Sequence, residues 1–463
     1  MNLAKSSMKF SSLCRGYLMC ALALTACGGK TRGGTEEAAG GASNAEGGAP
    51  TCSFEGFEPA VVYPTTREPT YIVAIDRTHS GHLDLVVNER STDGEASVMY
   101  VNAGDGTFTR DEAYGAAANS ADSMVAADFD QDGHLDLASH VTNGTDSYSK
   151  DQRTGKILID FGDSDGEFAA SPVSIPTSRS DGFLTAGDFD GDGRKDIAFA
   201  GYNYFMSAGG VSETGAIALP GPIPTDLLLD VFFNRGDGSF DPPVSYANLD
   251  WLQYREIATG DFDGDGHPDI AELSAREPSG FGVFFNRGDG SFDDQVDFVA
   301  STTWISYGLG VADFNGDGKD DVATATIINA NLPGQANVLE VFTAGGNGGF
   351  NEPAIYPMDS IPRVYQIMTG DFTGDGHPDL AMVMDNEWGQ ATPIPIAVFE
   401  NLGDGSFGAP INYQVGGQAF QYVIGIAAGD LNGDRVTDLA VTTSGSLSSP
   451  NPNGVSVLLS RCE

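Results

Sequence analysis

Positive charge is what this sequence most conspicuously lacks. Lysine and arginine number 23 against 65 aspartates and glutamates, a formal net charge of −42 at pH 7. That excess argues against nucleic acid or an anionic lipid surface as a partner, since both repel it. Histidine is scarce as well, with six in 463 residues. Four of the six occupy one repeated position, so only His79 and His140 stand apart, which is thin material for a histidine general base. No nucleophile-elbow motif stands out among the serines. Long apolar runs are missing too: Tyr17 to Ala23, near the start, is too short to span a membrane as a helix.

Glycine is plentiful, at 61 residues, and aspartate follows a fixed pattern. A nine-residue stretch recurs seven times. The clearest copy is the fourth, Asp261-Phe-Asp-Gly-Asp-Gly-His-Pro-Asp269, with Asp263, Asp265 and His267 at positions three, five and seven. The second copy carries Asp128, Asp130, Asp132, His134 and Asp136, and the third Asp188, Asp190, Asp192, Arg194 and Asp196. The fifth has Asp313, Asn315, Asp317, Lys319 and Asp321, and the sixth Asp371, Thr373, Asp375, His377 and Asp379. The seventh has Asp430, Asn432, Asp434 and Asp438, with Arg435 where the others place a turn glycine. The first copy, Asp76 to Asp84, is decayed, with Thr78 and Ser80 where carboxylates belong.

Oxygen side chains at positions one, three, five and nine of a tight loop can converge on one point. Position seven adds a backbone carbonyl, and glycine at position six permits the sharp turn. Hard oxygens in that number suit Ca²⁺; a transition metal would want histidine or cysteine. The glutamate expected at position twelve of a helix-loop-helix calcium site is absent, and the flanks read as strands, so these are calcium loops between β-strands. About five or six structural calcium ions are expected, with the first loop weak or empty. Without cations the clustered carboxylates repel, so the fold should depend on the metal.

Residues 1–26 read as an export signal, with Lys5, Lys9 and Arg15 ahead of the short apolar core. It ends Leu24-Thr25-Ala26-Cys27, which resembles a bacterial lipoprotein signal. That resemblance implies a lipid on Cys27 and, with Gly28 following, sorting to the outer membrane. Residues 27–51 form a Gly/Ala-rich stretch with no apolar periodicity, a flexible tether.

From residue 52 to 463 the repeat takes over. Each unit has an apolar strand, the Asp loop, a second strand, a variable connection, a third strand, a Gly-Asp-Gly-x-Phe turn and a fourth strand. The turn recurs at Gly104–Phe108, Gly236–Phe240, Gly288–Phe292 and Gly403–Phe407, with looser versions at Ser164–Phe168 and Asn347–Phe350. Units of about 59 residues with four short strands are a propeller-blade pattern, and seven units predict a seven-bladed, all-β propeller. These motifs resemble the FG-GAP/VCBS repeat family, the calcium-binding propeller repeats of integrin α subunits and many bacterial surface proteins. The resemblance covers about residues 52–463 and implies the fold and calcium; it is unspecific for function. The last unit stops after a third strand at Cys462, while Cys52 to Tyr63 looks like the missing turn and fourth strand. Pairing the two ends would close the ring and remove exposed sheet edges. It would also bring Cys52 beside Cys462, an expected disulfide in an oxidising compartment.

Two Arg-Gly-Asp tripeptides, Arg235–Asp237 and Arg287–Asp289, fall inside the repeated turn, which itself needs the glycine and aspartate. The aromatics are more informative. In this family the Asp loops lie on one face, with connections two-to-three and four-to-one on the other. Trp251, Trp304 and Trp388 fall in those connections, and Tyr71, Phe183, Tyr254, Tyr307, Tyr365 and Tyr422 come shortly before their Asp loops. Exposed rings on a rigid scaffold grip sugars or extended peptides; the alternative is that they cap the core. The expected function is a non-enzymatic, monomeric binding or adhesion module for glycan or for an extracellular or envelope protein. A polysaccharide lyase or hydrolase on the same face, or a purely structural envelope protein, are the alternatives.

Overall fold

The structure, a computed structural model, describes residues 54–462 apart from positions 79, 92–93, 112–120, 144–153, 169–170, 178, 180, 203–227, 248–255, 275–279, 301–305, 329–335, 347, 359–363, 385–393, 416–419 and 446–452. Among the described residues there is no helix. Seven antiparallel four-stranded sheets form the blades of a ring. Blade one runs Glu68–Ile75, Asp84–Ser91, Gly94–Asn102 and Phe108–Asp111. Blades two to six repeat that order, beginning with Ala121–Ala127, Asp181–Gly187, Ile257–Gly260, Ser306–Ala312 and Val364–Gly370. First strands of consecutive blades lie side by side around the centre, and Phe420–Gly429 of blade seven meets Glu68–Ile75 of blade one.

Blade seven takes its fourth strand from the start of the chain. Val61–Pro64 pairs antiparallel with Gly454–Leu458, Val61 opposite Val457 and Pro64 opposite Gly454. Beside it Phe54–Phe57 pairs with Ser460–Cys462, Phe54 opposite Cys462. The ring is therefore closed by the two ends of the chain, as the unfinished last repeat predicts.

The sequence dictates this layering locally. A second strand in a propeller is covered by blades on both faces, so the two residues after the loop aspartate are apolar in every blade. Small residues are needed where blades come closest. Ala138, Ala198, Ala271, Ala323, Ala381 and Ala440 stand two residues after the last loop aspartate, and all are fully buried. Fourth strands meet water on one side, and Val173–Thr177 alternates accordingly. The Phe at position two of loops two to six is the main inter-blade plug. Phe129, Phe189, Phe262, Phe314 and Phe372 are buried, each burial contributing about 1.5–3 kcal/mol. Each meets an aromatic from the turn of the following blade: Phe240, Phe292, Phe350, Phe407 and Phe57, at 5.3–6.4 Å between ring centres. Phe57 comes from the N-terminal segment, so chain closure also completes this set.

A chain beginning at Thr66 would leave the edge of Gly454–Leu458 open and Phe372 without its ring partner. Its melting midpoint is expected at least about 10 °C below that of the intact chain, with association through the bare edge. Circular dichroism melts and size-exclusion chromatography check this; an unchanged midpoint would contradict the closure.

Candidate metal centres

All seven Asp loops join the first strand of a blade to its second, so they share one side of the ring. The position-nine aspartate opens each second strand and is buried in every blade: Asp84, Asp136, Asp196, Asp269, Asp321, Asp379 and Asp438. Its two oxygens do different jobs. In blades two to seven Oδ2 accepts the N–H of position two, as from Phe129 to Asp136 at 2.6 Å and Phe189 to Asp196 at 2.9 Å. In all seven Oδ1 accepts a backbone N–H from the end of the third strand or two residues beyond it. These donors are Asn102, Gly162, Asn234, Asn286, Ala344, Asn401 and Ser460, at 2.7–2.8 Å. One carboxylate thus ties the loop to the far end of its own blade.

The remaining loop bonds preset the donors. Position one takes the N–H of position six on Oδ2, at 2.8–3.1 Å from Asp128 through Asp430. The N–H of position seven points at position five, as from His267 to Asp265 at 2.8 Å. Loop seven keeps this path with Arg435 at φ 74°, in the left-handed region where the other loops have glycine. Carboxylate oxygens of Asp128, Asp130 and Asp136, of Asp188, Asp190 and Asp196, and of Asp261, Asp263 and Asp265 lie within 4.8 Å of one another. Asp128 Oδ1 is buried with no hydrogen-bond donor facing it. A cluster of hard oxygens around an unpaired buried carboxylate oxygen fits a calcium-sized cation. Loops five to seven present Asn315, Thr373 and Asn432 at position three, all oxygen donors.

Position-seven side chains reach toward the turn of their own blade, and Arg194 also pairs there with Asp192 of its own loop. A Cβ on Gly288 (φ 74°) would lie 2.3 Å from His267 Nε2, so the histidine ring occupies the space that a larger turn residue would need. His82 and His377 cover Gly104 and Gly403 in the same way. Arg194 Nε donates to Asn234 O at 2.9 Å, and Lys319 Nζ to Gly345 O at 2.7 Å. Any metal contact from position seven is left to its backbone carbonyl.

Blade one differs in chemistry. Its position two is Arg77, and the guanidinium Nε lies 2.8 Å from Asp84 Oδ2, where a position-two N–H and a metal would otherwise act. Nη1 continues to Gly166 O of blade two at 2.5 Å. A fixed positive charge thus neutralises the buried carboxylate of the loop that lacks acids at positions three and five. Arg77 went unnoticed in the sequence, although an arginine among six Phe or Leu at position two was a visible signal.

The asparagines were missed as well. Asn102, Asn234, Asn286 and Asn401 stand two residues before Gly-Asp-Gly, and that spacing was the available signal. Each side-chain Nδ2 donates to the position-eight carbonyl of its own loop and to the position-two carbonyl of the preceding one. For Asn234 these are Lys195 O at 2.9 Å and Phe129 O at 2.6 Å. For Asn286 they are Pro268 O and Phe189 O, both at 3.0 Å.

Beside these bonds, the comparisons agree with the repeat. The FG-GAP-like repeat family matches residues 60–139 and 273–324. The chain is a seven-bladed propeller that carries FG-GAP-like repeats over those residues. No curated protein matches it. Solved structures of similar shape include a Penicillium chrysogenum alpha-L-arabinanase complexed with arabinobiose (9% identity, TM-score 0.43, 88% of this chain and 97% of that one). An Aleuria aurantia lectin in complex with alpha-methyl-L-fucoside shares 8% identity at TM-score 0.37, over 84% of this chain and 95% of the lectin. The V. cholerae biofilm matrix protein Bap1 shares 14% identity at TM-score 0.39, over 88% and 91%.

In this propeller the Arg-Gly-Asp tripeptides serve their turns. Asp237 and Asp289 accept the N–H of Ser239 and Ser291 at 3.0 and 3.1 Å, and Arg235 and Arg287 pair with Asp241 and Asp293. Trp251, Trp304, Trp388 and Tyr254 lie outside the described residues, as do Cys27 and Cys52. Tyr307 and Tyr365 sit on first strands of blades five and six, their side chains also outside the description. Tyr71 and Phe183 are buried in the core between blades, which makes them core residues and no part of a ligand face.

Burial pushes the carboxyls of Asp136, Asp196, Asp321, Asp379 and Asp438 up to about 7, and that of Asp269 to about 8. The folded chain holds these protons more tightly than the unfolded chain. Without cations, that contribution to stability is complete below the unfolded carboxylate pKa, near 4, and is lost as pH rises through 7 to 8. A divalent cation takes the place of the protons. In chelator the melting midpoint is therefore expected to fall between pH 5 and pH 8. With calcium that fall should vanish, and the half-saturating calcium concentration should drop as pH rises. A chelated midpoint that is flat or rises across that range would refute this.

Replacing Arg77 by Phe, Thr78 by Asp and Ser80 by Asp together should add one bound calcium per chain, counted by elemental analysis after gel filtration. An unchanged count would show that something beyond Arg77 and the missing acids bars the metal.

Proposed function

We propose that this propeller is a lipid-anchored, calcium-stiffened, non-enzymatic module that binds glycan or an extracellular or envelope protein. In this reading loops two to seven hold structural calcium through positions one, three, five and nine and the position-seven carbonyl. Cys27 carries the lipid, residues 27–51 tether the ring at the outer membrane, and Cys52 and Cys462 clasp its ends. The pairing of Phe54 with Cys462 supports the clasp, because it brings the chain to within two residues of Cys52.

The observation that carries the reading is the division of labour between the two sides of the ring. On the Asp-loop side the seven buried aspartates are committed to architecture, each accepting a backbone N–H from the far end of its third strand. The strands flanking Trp251, Trp304 and Trp388 are a fourth and a first, a fourth and a first, and a second and a third. That order supports a ligand face opposite the Asp loops, where Trp251, Trp304 and Trp388 would take a sugar or an extended peptide.

A Cys27→Ser chain, soluble and loaded with calcium, is expected to bind saturably on a broad glycan array. Replacing Trp251 or Trp304 by Ala should weaken binding at least about tenfold. A blank array with folded protein would end the glycan form of this proposal and leave protein partners. Release of reducing or unsaturated sugar ends would make the chain an enzyme.

A further inference from the structure

Each Asp loop is hydrogen-bonded to the next, directly or, between loops one and two, through the turn of blade two, and the series closes on itself. Asn102 Nδ2 joins loop seven to loop one through Leu431 O at 2.7 Å and Leu83 O at 2.9 Å. Arg77 joins loop one to the turn of blade two, whose Gly162 N–H rests on Asp136. Asn234 joins loops two and three, assisted by Gln131 Nε2 to Gly193 O at 2.9 Å. Asn286 joins loops three and four. Blade five has Ala344 in place of the asparagine, and there Asp320 acts instead. Its N–H donates to Asp261 O at 2.9 Å, and its Oδ2 accepts the Asp261 N–H at 2.8 Å. Asn401 joins loops five and six through Phe314 O and Pro378 O. Blade seven has Ser460, and the Thr437 N–H reaches Asp371 O at 2.8 Å while Ser460 Oγ donates to Thr437 O at 2.6 Å.

We propose that this collar couples the calcium loops, so that a cation held in one loop lowers the cost of ordering its two neighbours and the array fills cooperatively. Asn102, Asn234, Asn286 and Asn401 are positioning residues in this scheme, and Arg77 is the permanent, metal-free link. The path is short. Asp136 accepts the Phe129 N–H, Asn234 Nδ2 donates to the Phe129 carbonyl, and the Asn234 N–H donates to Asp196. Two candidate ligands in adjacent blades are thus joined through one residue and one asparagine. Ordering a loop around a cation fixes the carbonyl that the asparagine holds, and a loop already held has less freedom left to lose. The inference rests on the calcium reading above and deepens it.

The test is hydrogen exchange followed peptide by peptide during calcium titration of the Cys27→Ser chain, beside an Asp265→Ala chain. Asp265 is an exposed position-five residue, so loop four loses a ligand and the collar keeps its bonds. Coupling predicts that the calcium midpoints for protection of loops three and five rise at least about fivefold, and that of loop seven rises less. A change confined to loop four overturns the proposal. Asn286→Ala, which removes no candidate ligand, should separate the midpoints of loops three and four; superimposable curves in both chains would likewise overturn it. No calcium-dependent protection anywhere would instead defeat the calcium reading itself.

Discussion

A buried carboxylate must find donors for both of its oxygens, and in this ring that requirement organises every blade. The aspartate that opens each second strand lies where blades stack, out of reach of bulk water. Leaving it unpaired would cost several kcal/mol. Its Oδ1 takes an N–H from the end of the third strand in all seven blades, and its Oδ2 takes the position-two N–H in six. The consequence is geometric. The loop cannot drift from its blade, the position-two rings of loops two to six are held against the next blade, and in loops two to four three carboxylates come within 4.8 Å of one another.

Departures from the repeat show which parts are interchangeable. Blade one has lost two acids and the position-two aromatic, and Arg77 supplies both a charge for Asp84 and a contact to blade two. Blade seven has an arginine in a left-handed turn and keeps the same bond to Asp430. Blades two, five and seven lack the bridging asparagine, and the N–H of Gly162, Ala344 or Ser460 still reaches the aspartate because a backbone group needs no particular side chain. What is not interchangeable is the buried aspartate, present in every copy.

Much of this was legible in the sequence. The nine-residue period of donors, the four strands per unit and the unfinished seventh unit were enough to derive seven blades and closure by Val61–Pro64. Local geometry writes itself into local spacing: a tight turn needs glycine at set positions, and second strands between blades need apolar residues after the loop aspartate. The inter-blade bonds were not legible. Asn234 and Phe129 are 105 residues apart and meet only because two blades are neighbours in the ring. Tyr71 and Phe183, whose position before a loop suggested rings exposed to a ligand, are instead packed in the core.

By itself the sequence determined the repeat, its oxygen-rich loops and the number of blades, because each depends on residues within about ten positions of one another. Tertiary structure alone decided which of those residues act across blades. Arg77 could have been a surface charge and Asn286 a turn residue; burial against Asp84 and Phe189 O gives them their roles. The physical reason is that a polar group's role is set by the partner it meets once water is excluded, and that partner comes from another turn of the ring.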